Sequence, residues 1–330
     1  MNLDRIEKVL VDEPKFRKKQ VKQLVFCDLI ENWSEATTLP ESLRKMLNEK
    51  YPLEIEAENF VSQDGTTIKA LITMEDGLKI ESVLMRHKNR NTVCVSSQVG
   101  CPLDCIFCAT GQMGFKRNLD KWEIVEQVLF FARLLKKESQ KVTNIVFMGM
   151  GEPFLNYENV IGAIRILNDK EGFNLGARHF SISTVGITEG IQKLADEKLE
   201  VNLAISLHAP NNELRSKMMP INKKYPIARI FEAVDEYIKE TRRRVMFEYI
   251  MIKDVNDSDD CARDLAKLTK RKLFFVNLIE YNPTGIYKRS VQERIKKFRQ
   301  ILENEGVTVT QRWHFGQNIK AACGQLAAKV

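Results

Sequence analysis

The chain has 330 residues, a formal net charge of +7, and 44% hydrophobic and 29% charged residues, an ordinary composition for a globular protein. No apolar run approaches the roughly 20 residues that cross a membrane, and the start, MNLDRIEKVL, lacks the apolar core of a signal peptide. We therefore expect a soluble, cytoplasmic protein of about two domains. Its seven cysteines are then thiols, and some of them metal ligands or catalysts.

The first part of the chain, residues 1–86, lacks a regular alternation of strands and helices. Helices are predicted at Asp4–Val11, Lys15–Leu29 and Pro40–Leu47, the last because proline suits the start of a helix. The segment Glu54–Val83 alternates apolar and polar residues in places, which predicts a small sheet or a pair of hairpins. We interpret this part as a small α+β accessory domain.

From about residue 90 the pattern changes to strands that alternate with helices. The predicted strands are Thr92–Val99, Asn144–Met150, His179–Gly186, Val201–His208, Val245–Ile252 and Phe274–Asn282, with a candidate seventh at Val307–His314. Successive βα units with apolar strands favour a parallel sheet with crossover helices. Six or seven units are too few for an eight-stranded barrel. The predicted fold class is therefore α/β, a partial (β/α)6 TIM-like barrel.

Two features of the helices and strand ends support this architecture. In the first crossover helix, Ile124, Val128, Phe131 and Leu135 fall on one face, and Asp120 with Glu123 stands where a capping pair would start it. Motifs with polar or glycine residues follow five of the strands, and in such barrels the chemistry gathers at the carboxyl ends of the strands.

Three cysteines, Cys101, Cys105 and Cys108, share the run CPLDCIFC. A 4Fe–4S cluster normally takes four cysteine ligands. Three ligands leave one iron without a protein thiolate, and that iron can bind a small molecule. The alternative is a structural zinc site, which needs a fourth ligand. The sequence offers no second CxxC and no CxxH pair to supply it.

Basic residues form three clusters along the chain. The first contains Lys15, Arg17, Lys18, Lys19 and Lys22; the second Arg242, Arg243 and Arg244; the third Lys288, Arg289, Arg294, Lys296, Lys297 and Arg299. Each cluster alone could be a solvated helix face. Three of them in a chain of pI 8.9 favour a polyanionic partner.

The cysteine run, with the aromatic Phe107 before its third cysteine, is similar to the signature of the radical S-adenosylmethionine (SAM) superfamily. Longer stretches resemble the RlmN/Cfr family of radical SAM RNA methyltransferases, and its RlmN branch most. They include CVSSQVGCPLDCIFCATG, FMGMGEPFLNYENV, SISTVGI, AISLHAPNNELRSKMMPINKKYP, FEYIM, NLIEYNP and AACGQL. The resemblance spans residues 80–326. It implies an RNA-binding domain at 1–86, a radical SAM core at 87–316 and a catalytic tail at 317–330.

The resemblance also implies the site residues. The cluster ligands are Cys101, Cys105 and Cys108; the SAM pocket contains Gly151, Glu152, Ser183, Ser206, Leu207, His208 and Asn282; the catalytic residues are Cys323, Cys94 and Glu81. Without it, Gly151 is equally well explained as part of a tight turn after a strand, and Cys94 as a small buried apolar residue. One departure stands out: the family usually carries acidic residues before AACGQL, and this chain has Asn318 and Lys320.

The implied chemistry explains why two cysteines are needed. Carbon 2 of adenine is electron-poor and cannot attack the methyl group of SAM, whereas a thiolate is a competent nucleophile. By resemblance, Cys323 carries the carbon as S-methylcysteine, and a second SAM yields the radical that activates it. Cys94 then resolves the enzyme–RNA adduct through a transient disulfide with Cys323, and Glu81 accepts the ring proton.

The implied function is methylation of carbon 2 of adenosine in 23S rRNA and in tRNA next to the anticodon, with a 4Fe–4S cluster and two SAM per turnover. The expected partners are these RNAs and an electron donor such as flavodoxin or ferredoxin, without a membrane, for a monomeric enzyme. The alternatives are a Cfr-type carbon-8 methyltransferase of the same adenosine, a radical enzyme that activates a protein, and a zinc-stabilised RNA-binding module.

Overall fold

The computed structural model describes residues 2–11, 13–285, 287–312 and 316–328. Three helices come first: α1 (Leu3–Val9), α2 (Lys15–Phe26) and α3 (Glu41–Lys50). All three were predicted, and their ends differ from the prediction by at most three residues. They pack around Trp33, whose side chain is fully buried and whose indole N–H donates to the carbonyl of Tyr51 at 2.7 Å.

One sheet of ten strands runs through the described chain, and its strands are neighbours in sequence order. The antiparallel part is β1 (Ala57–Val61), β2 (Thr67–Thr73), β3 (Lys79–His87) and β4 (Arg90–Val95). Next to the last of these lie, all parallel, β7 (Asn144–Phe147), β8 (Phe180–Thr184), β9 (Asn202–Ser206), β10 (Val245–Met251), β11 (Phe274–Glu280) and β12 (Val309–Gln311). A separate two-stranded sheet pairs β5 (Gln98–Gly100) with β6 (Phe115–Asn118).

Helices connect the parallel strands, as the alternating pattern predicts. They are α4 (Ala109–Gln112), α5 (Lys121–Lys137), α6 (Tyr157–Asn168), α7 (Thr188–Asp196), α8 (Asn212–Met218), α9 (Ile227–Thr241), α10 (Asp259–Thr269) and α11 (Gln292–Asn304). The α/β class and the partial parallel barrel are confirmed. The candidate seventh strand exists as β12, and the Trp313 and His314 end of that prediction lies outside the described residues.

Helix α5 shows why these segments form where they do. Asp120 accepts from the backbone N–H of Trp122 at 2.8 Å, and Glu123 accepts from the N–H of Asp120 at 2.7 Å, which is the predicted capping pair. The four apolar residues of the predicted face, from Ile124 to Leu135, are fully buried. Burying each such side chain contributes about 1.5–3 kcal/mol, so this face fixes the helix against the sheet.

The antiparallel strands belong to the core sheet rather than to a separate one. Strand β3 pairs with β4, and the boundary predicted after residue 86 falls inside β3. Six consecutive residues of β2, from Thr67 to Ile72, are buried, whereas the partial alternation in the sequence predicts one exposed face. The difference arises because both faces of this strand are covered, which local patterning cannot reveal. No helix in the described ranges is long and apolar enough to cross a membrane.

Candidate active site

Two adjoining cavities contain most of the residues singled out in the sequence. The larger has a volume of about 910 Å³, and its wall includes Cys101, Cys105, Cys108, Gly151, Glu152, Ser183, Ser206, His208 and Cys323. The smaller, of about 540 Å³, is lined by residues that include Cys94, Asn282 and again Cys323. These residues follow or end different parallel strands, and the ends of parallel strands meet at one edge of the sheet. Side chains that are more than 200 positions apart in the sequence therefore lie close together.

The loop between β5 and α4 presents the three cysteines to the larger cavity. Backbone hydrogen bonds hold it: the N–H of Cys101 donates to Gly114 at 3.1 Å and that of Ile106 to Met218 at 3.1 Å. Burial raises the pKa of Cys101 to about 12. The bare Cys101 thiol therefore stays protonated, and a strongly cationic group would be needed to stabilise its thiolate.

The donor set fits an iron–sulfur cluster better than a single ion. Three thiols come from one eight-residue loop and line an open cavity. Within the described residues, no group of three His, Cys, Asp or Glu side chains is arranged to hold one metal ion. A structural zinc ion needs four converging ligands, so the geometry favours a cluster with one iron left open to the cavity.

Gly151 and Glu152 form a wall of the same cavity. Gly151 has φ +98°, and a Cβ built there would lie 2.5 Å from the Cβ of Gln98, so the turn requires glycine. The Glu152 carboxylate accepts from the N–H of Phe154 at 3.0 Å and of Val185 at 2.9 Å. Burial raises its pKa to about 7. A cationic group entering the cavity would favour the charged carboxylate.

The remaining predicted pocket residues are placed differently from one another. Ser183 and Ser206 lie side by side, with their Oγ atoms 3.1 Å apart. His208 has φ +61°, and its ring contacts Phe107 edge to face with centroids 5.1 Å apart. Burial lowers the pKa of His208 to about 3, so its side chain is neutral in the cavity wall. Leu207 is fully buried, and among the described residues it lines neither cavity. Its carbonyl instead accepts from Arg215.

The tail is docked by hydrogen bonds to Cys323 itself and to residues that follow it. The carbonyl of Cys323 accepts from Asn282 Nδ2 at 3.3 Å, which places Asn282 at the smaller cavity. The carbonyl of Gly324 accepts from the N–H of Ala109 at 2.7 Å, and that of Leu326 from Thr110 Oγ1 at 2.7 Å. The Cys323 side chain is thereby held on the wall that the two cavities share.

Cys94 approaches Cys323 from the sheet. It lies on β4, paired with Val83 of β3 and Val146 of β7, and is buried. Burial is the main cause that raises its pKa to about 12, and the charge of a Cys323 thiolate adds to the shift. The two sulfurs are free thiols that line the same small cavity.

Glu81 is buried beside the tail rather than on a cavity wall. Its Oε1 pairs with Lys69 Nζ at 2.7 Å, and its Oε2 accepts from the backbone N–H of Ala327 at 2.8 Å. Both side chains of the ion pair are buried, with exposed fractions of 6% for Lys69 and 1% for Glu81. Glu81 therefore anchors the tail in this structure.

Three charged residues of the site region were missed in the sequence. Glu248 of β10 lines the larger cavity, Arg312 lines both cavities, and Lys69 of β2 pairs with Glu81. The signal for Glu248 and Lys69 was a charged residue inside an apolar strand, because such groups are almost never buried unless they are paired. Arg312 had a weaker signal, because it lies within the predicted candidate strand Val307–His314, whereas the observed strand β12 ends one residue before it.

Many residues of the basic clusters are neutralised locally. Lys19 pairs with Glu171 at 3.6 Å and Lys22 with Asp169 at 2.5 Å. In the third cluster Arg294 and Lys297 pair with Asp259, and Arg299 with Glu303. Among the described residues, the exposed Lys15 and the half-buried Lys18 have no such ion pair.

Known proteins match both the sequence and the fold. Residues 95–268, more than half of the chain, match the family description "Radical SAM superfamily". A protein of Dictyoglomus turgidum, named probable dual-specificity RNA methyltransferase RlmN, is 48% identical over 96% of this chain and 91% of its own length. The ribosomal RNA large subunit methyltransferase N of Nitrosopumilus maritimus is 43% identical over 99% and 97%.

The chain belongs to the RlmN family of radical SAM RNA methyltransferases. A solved structure agrees: a radical SAM methyltransferase from Sphaerobacter thermophilus is 44% identical and superposes with a TM-score of 0.96 over 100% of this chain and 98% of that one. Membership in this family makes the protein an enzyme that uses a 4Fe–4S cluster and SAM. The larger cavity, with its three cysteines, fits both.

Proposed function

We propose that this enzyme methylates carbon 2 of adenosine in 23S rRNA, and in tRNA next to the anticodon, through a methyl group carried on Cys323. The names of its relatives, which describe RNA methyltransferases of dual specificity or of the ribosomal large subunit, support the substrates. The observation that carries the proposal is the position of Cys323. Its sulfur borders both the cavity of the cluster cysteines and the cavity of Cys94.

In this proposal Cys101, Cys105 and Cys108 hold the cluster, and Gly151 and Glu152 form the pocket for the SAM bound to it. When bound, cluster and SAM supply a 5′-deoxyadenosyl radical that can remove hydrogen from an S-methyl group. Two SAM are used per turnover, because one gives its methyl group to Cys323 and another supplies the radical. Glu152 lines this cavity and would bind the cationic amino group of SAM, whose charge would stabilise the carboxylate.

The chain's own residues divide the remaining work. Cys323 accepts the methyl group as a thiolate and later links the enzyme to the RNA through that carbon. Cys94 attacks the Cys323 sulfur as a thiolate, and the bond between that sulfur and the carried carbon breaks. The electron pair of this bond leaves with the RNA, where a proton completes the methyl group, and a Cys94–Cys323 disulfide remains. An external thiol reductant restores both thiols before the next turnover. Because Glu81 pairs with Lys69 and with the N–H of Ala327, its role as proton acceptor requires the tail to move.

RNA and protein partners complete the proposal. Residues 1–86 bind RNA, with Lys15 and Lys18 on phosphates. Residues 87–316 hold the chemistry, and residues 317–330 hold the carrier cysteine. A flavodoxin or ferredoxin reduces the cluster, and the enzyme works as a monomer. Neutralisation of Lys19 and Lys22 by acidic residues leaves fewer phosphate contacts than the cluster of five suggests.

Two variants test the division between the cysteines. Cys323→Ala should keep its cluster, never acquire a methyl group and yield no methylated RNA. Cys94→Ala should acquire the methyl group on Cys323 and then stall as protein joined to RNA, seen as a shifted band that ribonuclease removes. Cys261→Ala, at a cysteine remote from both cavities, is the matched control and should turn over normally. Normal turnover by Cys323→Ala would overturn the proposal.

The methylated carbon is tested separately. RNA methylated by the purified enzyme is digested to nucleosides and separated against 2-methyladenosine and 8-methyladenosine by mass spectrometry. We expect 2-methyladenosine from both 23S rRNA fragments and tRNA. A product that migrates as 8-methyladenosine would assign the enzyme to the alternative reaction.

A further inference from the structure

A chain of polar side chains links the predicted SAM pocket to the tail. Ser206 and Ser183 are in hydroxyl contact, and Ser183 Oγ donates to Glu248 Oε2 at 2.7 Å. The second carboxylate oxygen, Oε1, lies 3.3 Å from Arg312 Nη1. Because the Glu248 side chain is only 5% exposed and both of its oxygens are bonded, it fixes the direction of the Arg312 guanidinium.

Arg312 occupies the wall between the two cavities. The described residues that line both are Met148, Ile279, Arg312, Cys323 and Leu326. Arg312 is the charged member of this shared set. Its Nη2 contacts the sulfur of Met148 at 3.3 Å, which is a weak acceptor, whereas Nη1 pairs with Glu248.

Electrostatics couple this cation to both sulfurs. Burial raises the pKa of Cys323; Arg312 is the strongest opposing influence, and Glu248 and Cys108 add to the rise. The same cation opposes the rise in the pKa of Cys94. The pKa of Arg312 is raised, and the charge on Cys323 is the largest cause.

We propose that Arg312, oriented by Glu248, is a positioning residue on the wall shared by the two cavities that eases formation of the Cys323 thiolate, which then accepts the methyl group of SAM from the larger cavity. The inference rests on the proposed role of Cys323 as methyl carrier. In that step the thiol proton passes to solvent, the sulfur of Cys323 forms a bond to the methyl carbon, and S-adenosylhomocysteine leaves with the electron pair of the broken bond. No electron acceptor is needed.

Loss of the Arg312 charge and loss of the Glu248 charge should change the thiolate fraction of Cys323 in opposite directions. Removing the cation leaves a buried sulfur beside an unbalanced carboxylate, which disfavours the thiolate. Removing the carboxylate charge leaves the cation directed wholly at the sulfurs, which favours it. A purely structural ion pair predicts the same sign for both, because each change breaks the same contact.

The probe is iodoacetamide, which alkylates thiolates. The test uses full-length, cluster-loaded protein whose Cys323 is shown by mass spectrometry to be unmethylated. The variants are Arg312→Met, Arg312→Lys and Glu248→Gln, and alkylation of the exposed Cys27 in the same sample is the internal control. A nearby cation lowers the pKa of a thiol by about 1–3 units. Each unit by which the pKa rises reduces the thiolate fraction but makes the remaining thiolate more nucleophilic, so alkylation slows only about 3- to 4-fold per unit.

We therefore expect Arg312→Met to slow alkylation of Cys323 by about 3-fold to 60-fold, Arg312→Lys to recover most of the rate, and Glu248→Gln to be as fast as the unmodified enzyme or faster. Methylation of Cys323 by SAM should follow the same order. Equal loss in Arg312→Met and Glu248→Gln, or no loss in Arg312→Met, would overturn the inference. Failure of unmodified enzyme to methylate Cys323 at all would instead refute the proposed function, because the alkylation order does not depend on it.

Discussion

The buried pair of Lys69 and Glu81 gives a quantitative prediction about the tail. The two charged atoms are 2.7 Å apart, and neither side chain is more than 6% exposed. Lys69→Met keeps most of the side-chain volume but leaves the Glu81 carboxylate buried without its cation. Breaking a buried pair in this way costs about 3–5 kcal/mol, because the remaining charge is uncompensated. A surface pair is worth about 0–1 kcal/mol.

Urea denaturation of four variants, each compared with the unmodified protein, measures the free energy lost when the pair is broken. Lys69→Met and Glu81→Gln should each lower the free energy of unfolding by several kcal/mol, and the double variant should lose clearly less than the sum, because it buries no lone charge. Arg178→Met, which breaks a pair with side chains 72% and 58% exposed, is the matched control and should change the free energy of unfolding little.

The tail supplies a second measurement on the same variants. Because Glu81 Oε2 also accepts from the N–H of Ala327, loss of the pair should loosen the last residues and speed their removal by carboxypeptidase. A cost below about 1 kcal/mol for Lys69→Met, similar to the surface control, would show that water reaches the pair in solution, and the anchoring argument would fail.

Three further predictions follow from local geometry and charge. Gly151→Ala should destabilise the protein more than Gly77→Ala and should abolish SAM cleavage. Both glycines have a positive φ, which costs an alanine about 1–2 kcal/mol. Only at Gly151 would the added Cβ also clash, at 2.5 Å from another side chain. In cluster-free protein, the raised pKa of Glu152, about 7, means that the folded state binds the proton more tightly than the unfolded state. Stability should therefore fall between about pH 4.5 and 7, by roughly 3 kcal/mol at 1.4 kcal/mol per unit. Glu152→Gln should remove that slope in urea titrations at each pH. Neutralising Lys15 and Lys18 together should lower the salt slope of RNA binding by about 1–2 units, and an unchanged slope would identify them as a solvated helix face.

The sequence was most informative about the parallel sheet, where local and global signals agree. Apolar strand runs, helix periodicity and the capping pair at Asp120 each predict the same βα units, and the structure has them. The strand ends were predicted one to three residues too long in several units, for example Asn144–Met150 against an observed Asn144–Phe147. In this unit the excess residues are Met148, Gly149 and Met150, of which Met148 and Gly149 line the larger cavity. Hydrophobicity alone does not distinguish such positions from a strand.

The sequence was least informative where contacts depend on distant segments. Lys69 and Glu81 face each other across β2 and β3, and the N–H of Ala327 reaches Glu81 from 246 residues away in the chain. Arg312 meets Glu248 from a different strand end. No local sequence pattern predicts contacts between such distant residues. A charged residue within an apolar strand does, however, indicate that it has a partner of opposite charge.

The different surroundings of the two cysteines match the different demands of the proposed chemistry. Cys94 lies in a strand flanked on both sides by other strands, so its sulfur cannot travel. Cys323 lies in a tail held by a few hydrogen bonds to Ala109, Thr110 and Asn282. Each such bond contributes about 0.5–1.5 kcal/mol net, so the tail can be displaced at a cost far below that of unfolding the sheet. A carrier must contact a methyl donor, an RNA base and a resolving thiol in turn, whereas a resolving thiol reacts once and can stay in one position. In the proposed function, the carrier therefore lies on a segment held mainly by hydrogen bonds, and the resolving thiol lies in the sheet.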